Sequence, residues 1–213
     1  MILHNFFRSS ASVRLRAALN LKGLNYSHVS YTLRAGEHRE ESYLQLNPQG
    51  LVPALELPNG TSLSQSLAII EYLDEVYPEP ALLPSDPLDR AWVRSVALSV
   101  ACDLHPINNL RVLKYLKSQL SASEEQLEQW PRHWVAQTYQ GLERQLSQDP
   151  RRGLFVYGDQ PGLADLCLFA QAANNRRFGV DETPYPTLRG IVASCMERPE
   201  FQDALPENHP HAE

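Results

Sequence analysis

The sequence predicts a mixed α/β N-terminal domain followed by an all-α C-terminal domain. Three observations carry this: strand and helix signals alternate over residues 1–80, helical periods fill almost everything after residue 90, and the proline-rich "YPEPALLPSDPLD" lies between. We therefore set the domains at 1–80 and 90–213, with 81–89 as the linker.

"ILHNF" reads as a short strand, and a helix starts near Ser10 with Val13, Ala17 and Leu21 on one face before stopping at Gly23. "YSHVSYTL" is the next strand and "EESYLQL" a short helix closed by Asn47-Pro48. "LVPALEL" and "TSL" form a hairpin around Pro58-Asn59-Gly60, and "SQSLAIIEYLDEVYP" closes the domain as a helix capped by Ser64 or Ser66. That βαβαββα order is the order of a thioredoxin-like domain. Helices are expected near 88–120, bending at Pro106, and near 124–147, 163–178 and 186–197, with "PENHPHAE" as a frayed tail.

With 213 residues, 43% of them apolar, the chain can fill one large core or two small ones. A formal charge of −6 lacks the basic footprint of a nucleic-acid or anionic-membrane binder, so neither is expected as a partner. Cys102, Cys167 and Cys195 are widely spaced with no CxxC pair, which argues against a disulfide framework or a structural zinc site. No signal-type core or long apolar run is present, and we expect a cytoplasmic protein.

The chemistry gathers at helix starts. Ser9, Ser10 and Ser12 crowd one N-terminus, where unpaired N–H groups and a partial positive charge favour an anion, although one serine there can simply cap the helix. Pro53 at the mouth of a strand suits a cis Val52-Pro53 bond that turns the Val52 N–H and C=O outward, towards a peptide-like ligand. Gln65-Ser66 offers an amide and a hydroxyl at a second helix start, suited to a carboxylate or, again, to capping. These signals converge on a small anionic peptide bearing a thiol.

The motifs "RSSASVRLRAALNLKG", "LNPQGLVPAL", "SQSLAIIEYLDE", "LLPSDPLDRAWVR", "LADLCL" and "RRFGVDETPYPTL" together resemble the zeta-class glutathione transferases, the maleylacetoacetate isomerase family. The resemblance runs from about residue 2 to about residue 200 and implies the glutathione transferase fold, a homodimer, and glutathione as cofactor. Carried over by position, Ser10 supports the glutathione thiolate beside Ser9 and Ser12, Val52 gives the backbone contact, Pro53 is the cis-proline, and Gln65 and Ser66 meet the γ-glutamyl group. "HPINN" resembles related maleylpyruvate isomerases, and His105, Asn108 and Asn109 are assigned with it to the cofactor. Two departures stand out: Ala11 replaces the cysteine many members carry, and Gly162 takes the place of a capping serine or threonine before "LAD".

Arginine is the natural partner of a carboxylate, because its planar fork can hold both oxygens. Arg8 precedes the serines, Arg111 belongs to the polar stripe His105, Asn108, Arg111 and Tyr115, and Arg177 matches the arginine the family places over its substrate. Together they suit a linear dicarboxylate. The activity implied is cis–trans isomerisation of maleylacetoacetate-type diketo acids, or of maleylpyruvate, in which the sulfur of glutathione adds to the double bond and leaves again. Conjugation of glutathione to small haloacids is the alternative on the same residues, and a non-catalytic glutathione-binding protein is another. A metal hydrolase built on Cys102 and His105 lacks companions at ligand spacing, one built on His209 and His211 would rest on the tail, and the three cysteines read as packed apolar residues.

Overall fold

In the computed structural model, which describes residues 1–212, the chain falls into two compact units. One comprises Met1–Leu82 with the chain from Arg198 on, and the other Leu83–Glu197.

The first unit is built on a mixed sheet of order β2-β1-β3-β4. Strand β1 (Ile2–Asn5) runs parallel to β2 (Ser27–Ser30) and antiparallel to β3 (Ala54–Glu56), which pairs antiparallel with β4 (Ser62–Ser64). Helix α1 (Ser10–Leu21) makes the crossover between the parallel strands, α2 (Glu41–Leu44) is a single turn, and α3 (Ser66–Val76) packs on α1. The expected βαβαββα order is therefore observed. Leu3, Leu55, Val13, Leu15, Leu19, Ile69, Ile70 and Leu73 form the core where the sheet and both helices meet.

Helix α1 is buried almost all round, which leaves its cations without solvent. Lys22, at its C-cap, uses all three ammonium protons: Asp74 Oδ1 at 2.6 Å, Tyr77 O at 2.7 Å and Pro80 O at 2.6 Å. Asp74 in turn accepts from Leu82 N at 2.8 Å, so one ion pair fixes the proline-rich stretch that leaves the unit. Arg16 donates from Nε and Nη2 to Ala204 O, from Nη1 to Asn5 Oδ1 at 3.0 Å and from Nη2 to Phe7 O at 2.8 Å. Burial among these uncharged acceptors lowers the guanidinium pKa to about 10.

The C-terminal segment departs from expectation. Residues from Arg198 on belong to the first unit, not to the helical domain expected to run to 213. Helix α10 (Pro199–Gln202) packs on α1, and Glu200 O accepts from Asn20 Nδ2 at 2.9 Å. "PENHPHAE" is not a frayed tail over its described residues, because His209 is buried with Nε2 3.1 Å from Asn5 Oδ1 and its ring packs edge-on to His28. A local reading of polar residues cannot see that a strand residue waits to receive them.

The second unit is all-helical. The single bent helix expected over 88–120 is α4 (Pro87–Leu98), a π-helical segment Ser99–Leu104, the short α5 (His105–Ile107) and α6 (Leu110–Gln119). Pro106 cannot donate to the ladder, and the wider π turns precede it. Helices α7 (Glu124–Gln148), α8 (Leu163–Phe178) and α9 (Pro186–Met196) follow. Helix α8 forms the core. At its start Asp165 accepts from Gly162 N and Val156 N, each at 2.8 Å, and burial pushes its carboxyl up to about 7 against those bonds. Cys167 and Cys195 are buried as expected, whereas Cys102 is exposed. Among the described residues no helix is long and apolar enough to cross a membrane, and no cluster of histidine, cysteine and acidic residues could hold a metal.

Replacing Arg16 by Met is expected to lower the unfolding free energy by about 3 kcal/mol, measured by urea denaturation, because buried oxygens on three segments lose a charged donor. Stability should also fall as the pH drops from 6.5 towards about 4, since burial, then Arg16, His28 and His211, hold His209 below its ordinary value and the unfolded chain takes up the proton first. His209→Gln should flatten the melting temperature against pH across that window.

Candidate functional site

Sheet register brings the three expected segments of the first unit to one edge. His4 of β1 faces Ala54 of β3, and Ala54 faces Ser64 of β4. The chain therefore leaves β1 for Arg8–Ser12, enters β3 from Val52-Pro53 and leaves β4 for Gln65-Ser66 at the same end of three adjacent strands, with neighbours about 4.8 Å apart.

At α1, the serines divide the work. Ser9 is the N-cap, and its Oγ accepts from Ser12 N at 3.3 Å. Ser10 is the first helical residue, so its hydroxyl is not needed for capping and has no hydrogen-bond partner among the described residues. The Ser10 and Ala11 N–H groups, too, meet no acceptor there, as the first turn of a helix requires. Ser12 Oγ is fully buried without a partner. Arg8 is exposed, its guanidinium 4.8 Å from the centroid of the Phe7 ring.

The Val52-Pro53 bond is cis, as the sequence suggested. Val52 lies outside the β3 ladder, and its N–H and C=O make no hydrogen bond among the described residues. The approach is held by Leu51 O, which accepts from Tyr43 Oη at 2.6 Å and Asn47 Nδ2 at 2.7 Å. Gly50, at φ +58, allows the close passage of Arg39, whose Cδ would lie 3.0 Å from any added Cβ.

The cap of α3 is neither Ser64 nor Ser66. It is Gln65, with φ 68 and ψ 106 and no side-chain bond to the helix. A non-glycine residue held at positive φ costs roughly 1–3 kcal/mol, so the strand before Gln65 and the helix after it must hold it there. The exposed Gln65 amide donates to Gln49 Oε1 at 3.0 Å, and Ser66, buried in the first turn, has no hydrogen-bond partner for its hydroxyl among the described residues. The pairing with Gln49 escaped the sequence reading, since it joins residues sixteen positions apart.

In the second unit the expected stripe is broken. His105 lies on α5, Asn108 and Asn109 in the turn, and Arg111 and Tyr115 on α6. Asn109 Oδ1 is used as the N-cap of α6, accepting from Arg111 N at 3.1 Å. Asn108 is 4% exposed, yet neither its Oδ1 nor its Nδ2 finds a partner. A buried amide left unpaired costs about 1–3 kcal/mol, which suits a group reserved for a ligand. Arg111 is exposed on the first turn of α6, and Arg177 is exposed on the last turn of α8.

Three comparisons with known proteins bear on these groups. The glutathione S-transferase N-terminal domain family matches residues 8–76. Maleylacetoacetate isomerase from Pseudomonas aeruginosa is 46% identical over 212 residues, 99% of this chain and 98% of that protein. The fold superposes on a holo maleylpyruvate isomerase, a bacterial glutathione S-transferase of the zeta class, with TM-score 0.97 and 46% identity over the whole of both chains. A maleylacetoacetate isomerase from Methylobacterium extorquens AM1, solved with bound malonate and glutathione, aligns with TM-score 0.96 and 37% identity over the whole of both chains.

The division between Ser9 and Ser10 is open to measurement. Ser9→Ala should cost about 1 kcal/mol in thermal unfolding through the lost cap, whereas Ser10→Ala should stay within about 0.5 kcal/mol of the parent chain.

Proposed function

From the premise that the chain belongs to the zeta-class glutathione transferases, the family of the maleylacetoacetate and maleylpyruvate isomerases, we propose that it is a glutathione-dependent cis–trans isomerase of maleyl diketo acids. The observation that carries this reading is the Ser10 hydroxyl, spared from capping by Ser9 and set beside the unpaired N–H groups of the first turn. Orphaned donors at α1, an unpaired backbone edge at Val52 and a strained Gln65 at α3 fit a peptide that ends in carboxylates and carries a thiol. Bound glutathione supplies a thiolate that can add to the cis double bond and leave after rotation, so that it is not consumed.

The residues of the chain have separable tasks. The Ser10 hydroxyl and the α1 N-terminus donate to sulfur and favour its ionised form, with Ser9 and Ser12 supporting the turn. Val52 N–H and C=O pair with the cysteinyl backbone as an added strand does, beside Pro53. Gln65 and Ser66 hold the γ-glutamyl carboxylate at the start of α3. His105, Asn108 and Asn109 are assigned to the cofactor, and the unpaired Asn108 amide supports this. Arg8, Arg111 and Arg177 take the carboxylates of the dicarboxylate substrate and oppose the charge that develops next to the reacting bond. None of these tasks needs a thiol at Ala11. We further infer a homodimer, on the strength of the family, and a cytoplasmic location, where glutathione is kept reduced.

Isomerisation of maleylpyruvate and maleylacetoacetate is to be followed optically with glutathione, without it, and with S-methylglutathione. Turnover is expected only with the free thiol, with glutathione recovered unchanged, and Ser10→Ala should lose about 10²-fold in kcat. Stoichiometric loss of glutathione would assign conjugation, and binding without turnover on either acid would overturn the enzyme reading.

A further inference from the structure

Arg177 occupies the last turn of α8, and that turn is fixed by buried amides. Gln171 and Asn175, one turn apart, are 1% and 0% exposed in the middle of an apolar core. Gln171 Nε2 donates to Asn175 Oδ1 at 2.7 Å, and Asn175 Nδ2 donates to Glu182 Oε1 at 2.7 Å. The backbone of Asn175 closes the same turn, its C=O accepting from Val180 N at 3.1 Å, while Gly179 adopts the left-handed conformation at φ +58. From α7, Arg132 Nε donates to Phe178 O at 2.9 Å. The helix end that carries Arg177 is thus held through backbone and side chain at once.

This arrangement is costly. Gln171 Oε1 is buried beside it without a hydrogen-bond partner, and burial followed by the Glu182 charge raises the pKa of the buried Tyr139 against the Asn175 amide that faces its hydroxyl. Apolar side chains at 171 and 175 would bring no polar atoms of their own into the core. What the polar residues add is a defined stopping point for α8, reached through a charge-assisted bond to the loop beyond it.

We propose that Asn175 and Glu182 are positioning residues that act through Arg177, fixing the helix end from which its side chain reaches a substrate carboxylate. The inference rests on the assignment of Arg177 to the substrate made above. Glu182 lies on a half-exposed loop and, among the described residues, hydrogen-bonds to none of the groups assigned to glutathione, so its effect should fall on one ligand only.

The test compares E182L and E182Q, each with and without R177A, by steady-state kinetics on maleylpyruvate with glutathione and by thermal melting. E182L is expected to raise the KM for the acid about 10-fold, as loss of one charge-assisted bond allows, with the KM for glutathione within about twofold. E182Q keeps an acceptor for Asn175 Nδ2 and should restore the KM. In the R177A background E182L should add less than about twofold, because the residue it acts through is gone. Independent, multiplying effects of E182L and R177A would overturn the proposal, as would an equal change in the KM for glutathione or no change for the acid. R177A alone reports on the substrate assignment: an unchanged KM for the acid would overturn that assignment and this inference with it. If E182L does not fold, Asn175→Asp, which keeps the shape but sets a carboxylate against Glu182, should give the same pattern.

Discussion

The first unit depends on one dehydrated cation. Arg16 has exchanged water for Asn5 Oδ1, Phe7 O and Ala204 O, and no carboxylate is among those partners. Each oxygen lies on a different segment: the end of β1, the turn into α1, and the C-terminal chain. The desolvation cost is recovered only while all of them stay in place, so the cation makes their positions mutually dependent. Phe7 is the residue before Arg8, and its carbonyl sets where the turn of Arg8–Ser12 begins. Asn5 Oδ1 is also the oxygen facing His209, which extends the same constraint to the tail.

From that fixed turn, function follows by division of labour among similar groups. A helix start needs one capping oxygen, and Ser9 supplies it. Ser10 is thereby left with a hydroxyl that the fold does not use. Register then does what proximity in sequence cannot: His4, Ala54 and Ser64 lie across one line of the sheet, and the segments next to them carry the unpaired donors and acceptors. A slip of one residue in β3 would reverse which side chains face the core, and Leu55 and Ala54 leave no room for that.

The element order of the first 80 residues, the limits of α7, α8 and α9 and the cis Val52-Pro53 bond were legible in the sequence, because apolar period, caps and proline position are local signals. The serine cluster was legible as the start of a helix, but which serine caps it was not, since two neighbouring hydroxyls are chemically alike. Gln65 was legible as an amide at a helix start, suited to a carboxylate, but its positive φ was not, because a glutamine carries no local signal for that conformation. Arg16 and His209 were hidden for another reason: their partners lie far along the chain, and a buried arginine without a carboxylate has no local signature. The stripe from His105 to Tyr115 failed because helical spacing was carried through a π segment and a turn.

The anion recognition proposed for the two units rests on different means in each. Backbone N–H groups at α1 and the open edge at Val52 are positioned by the ladder and the helix, so they lose little further freedom when a ligand binds. An arginine carries about 2 kcal/mol of side-chain entropy on a long stem. A helix that presents Arg177 must therefore at least fix the point from which that stem departs. The buried amides of Gln171 and Asn175, tied to Glu182 beyond the helix end, achieve this while leaving Gln171 Oε1 unsatisfied in the core. Lys22 in the other unit is the contrast: all its protons are used, its pairing is complete, and it serves the fold alone. Among the polar atoms left incomplete, Ser12 Oγ and the Asn108 amide belong to residues assigned to the ligands, whereas Arg14 Nε, Ser30 Oγ and Trp134 Nε1 lie apart from them, so an unpaired atom points to a ligand only where a second observation places it there.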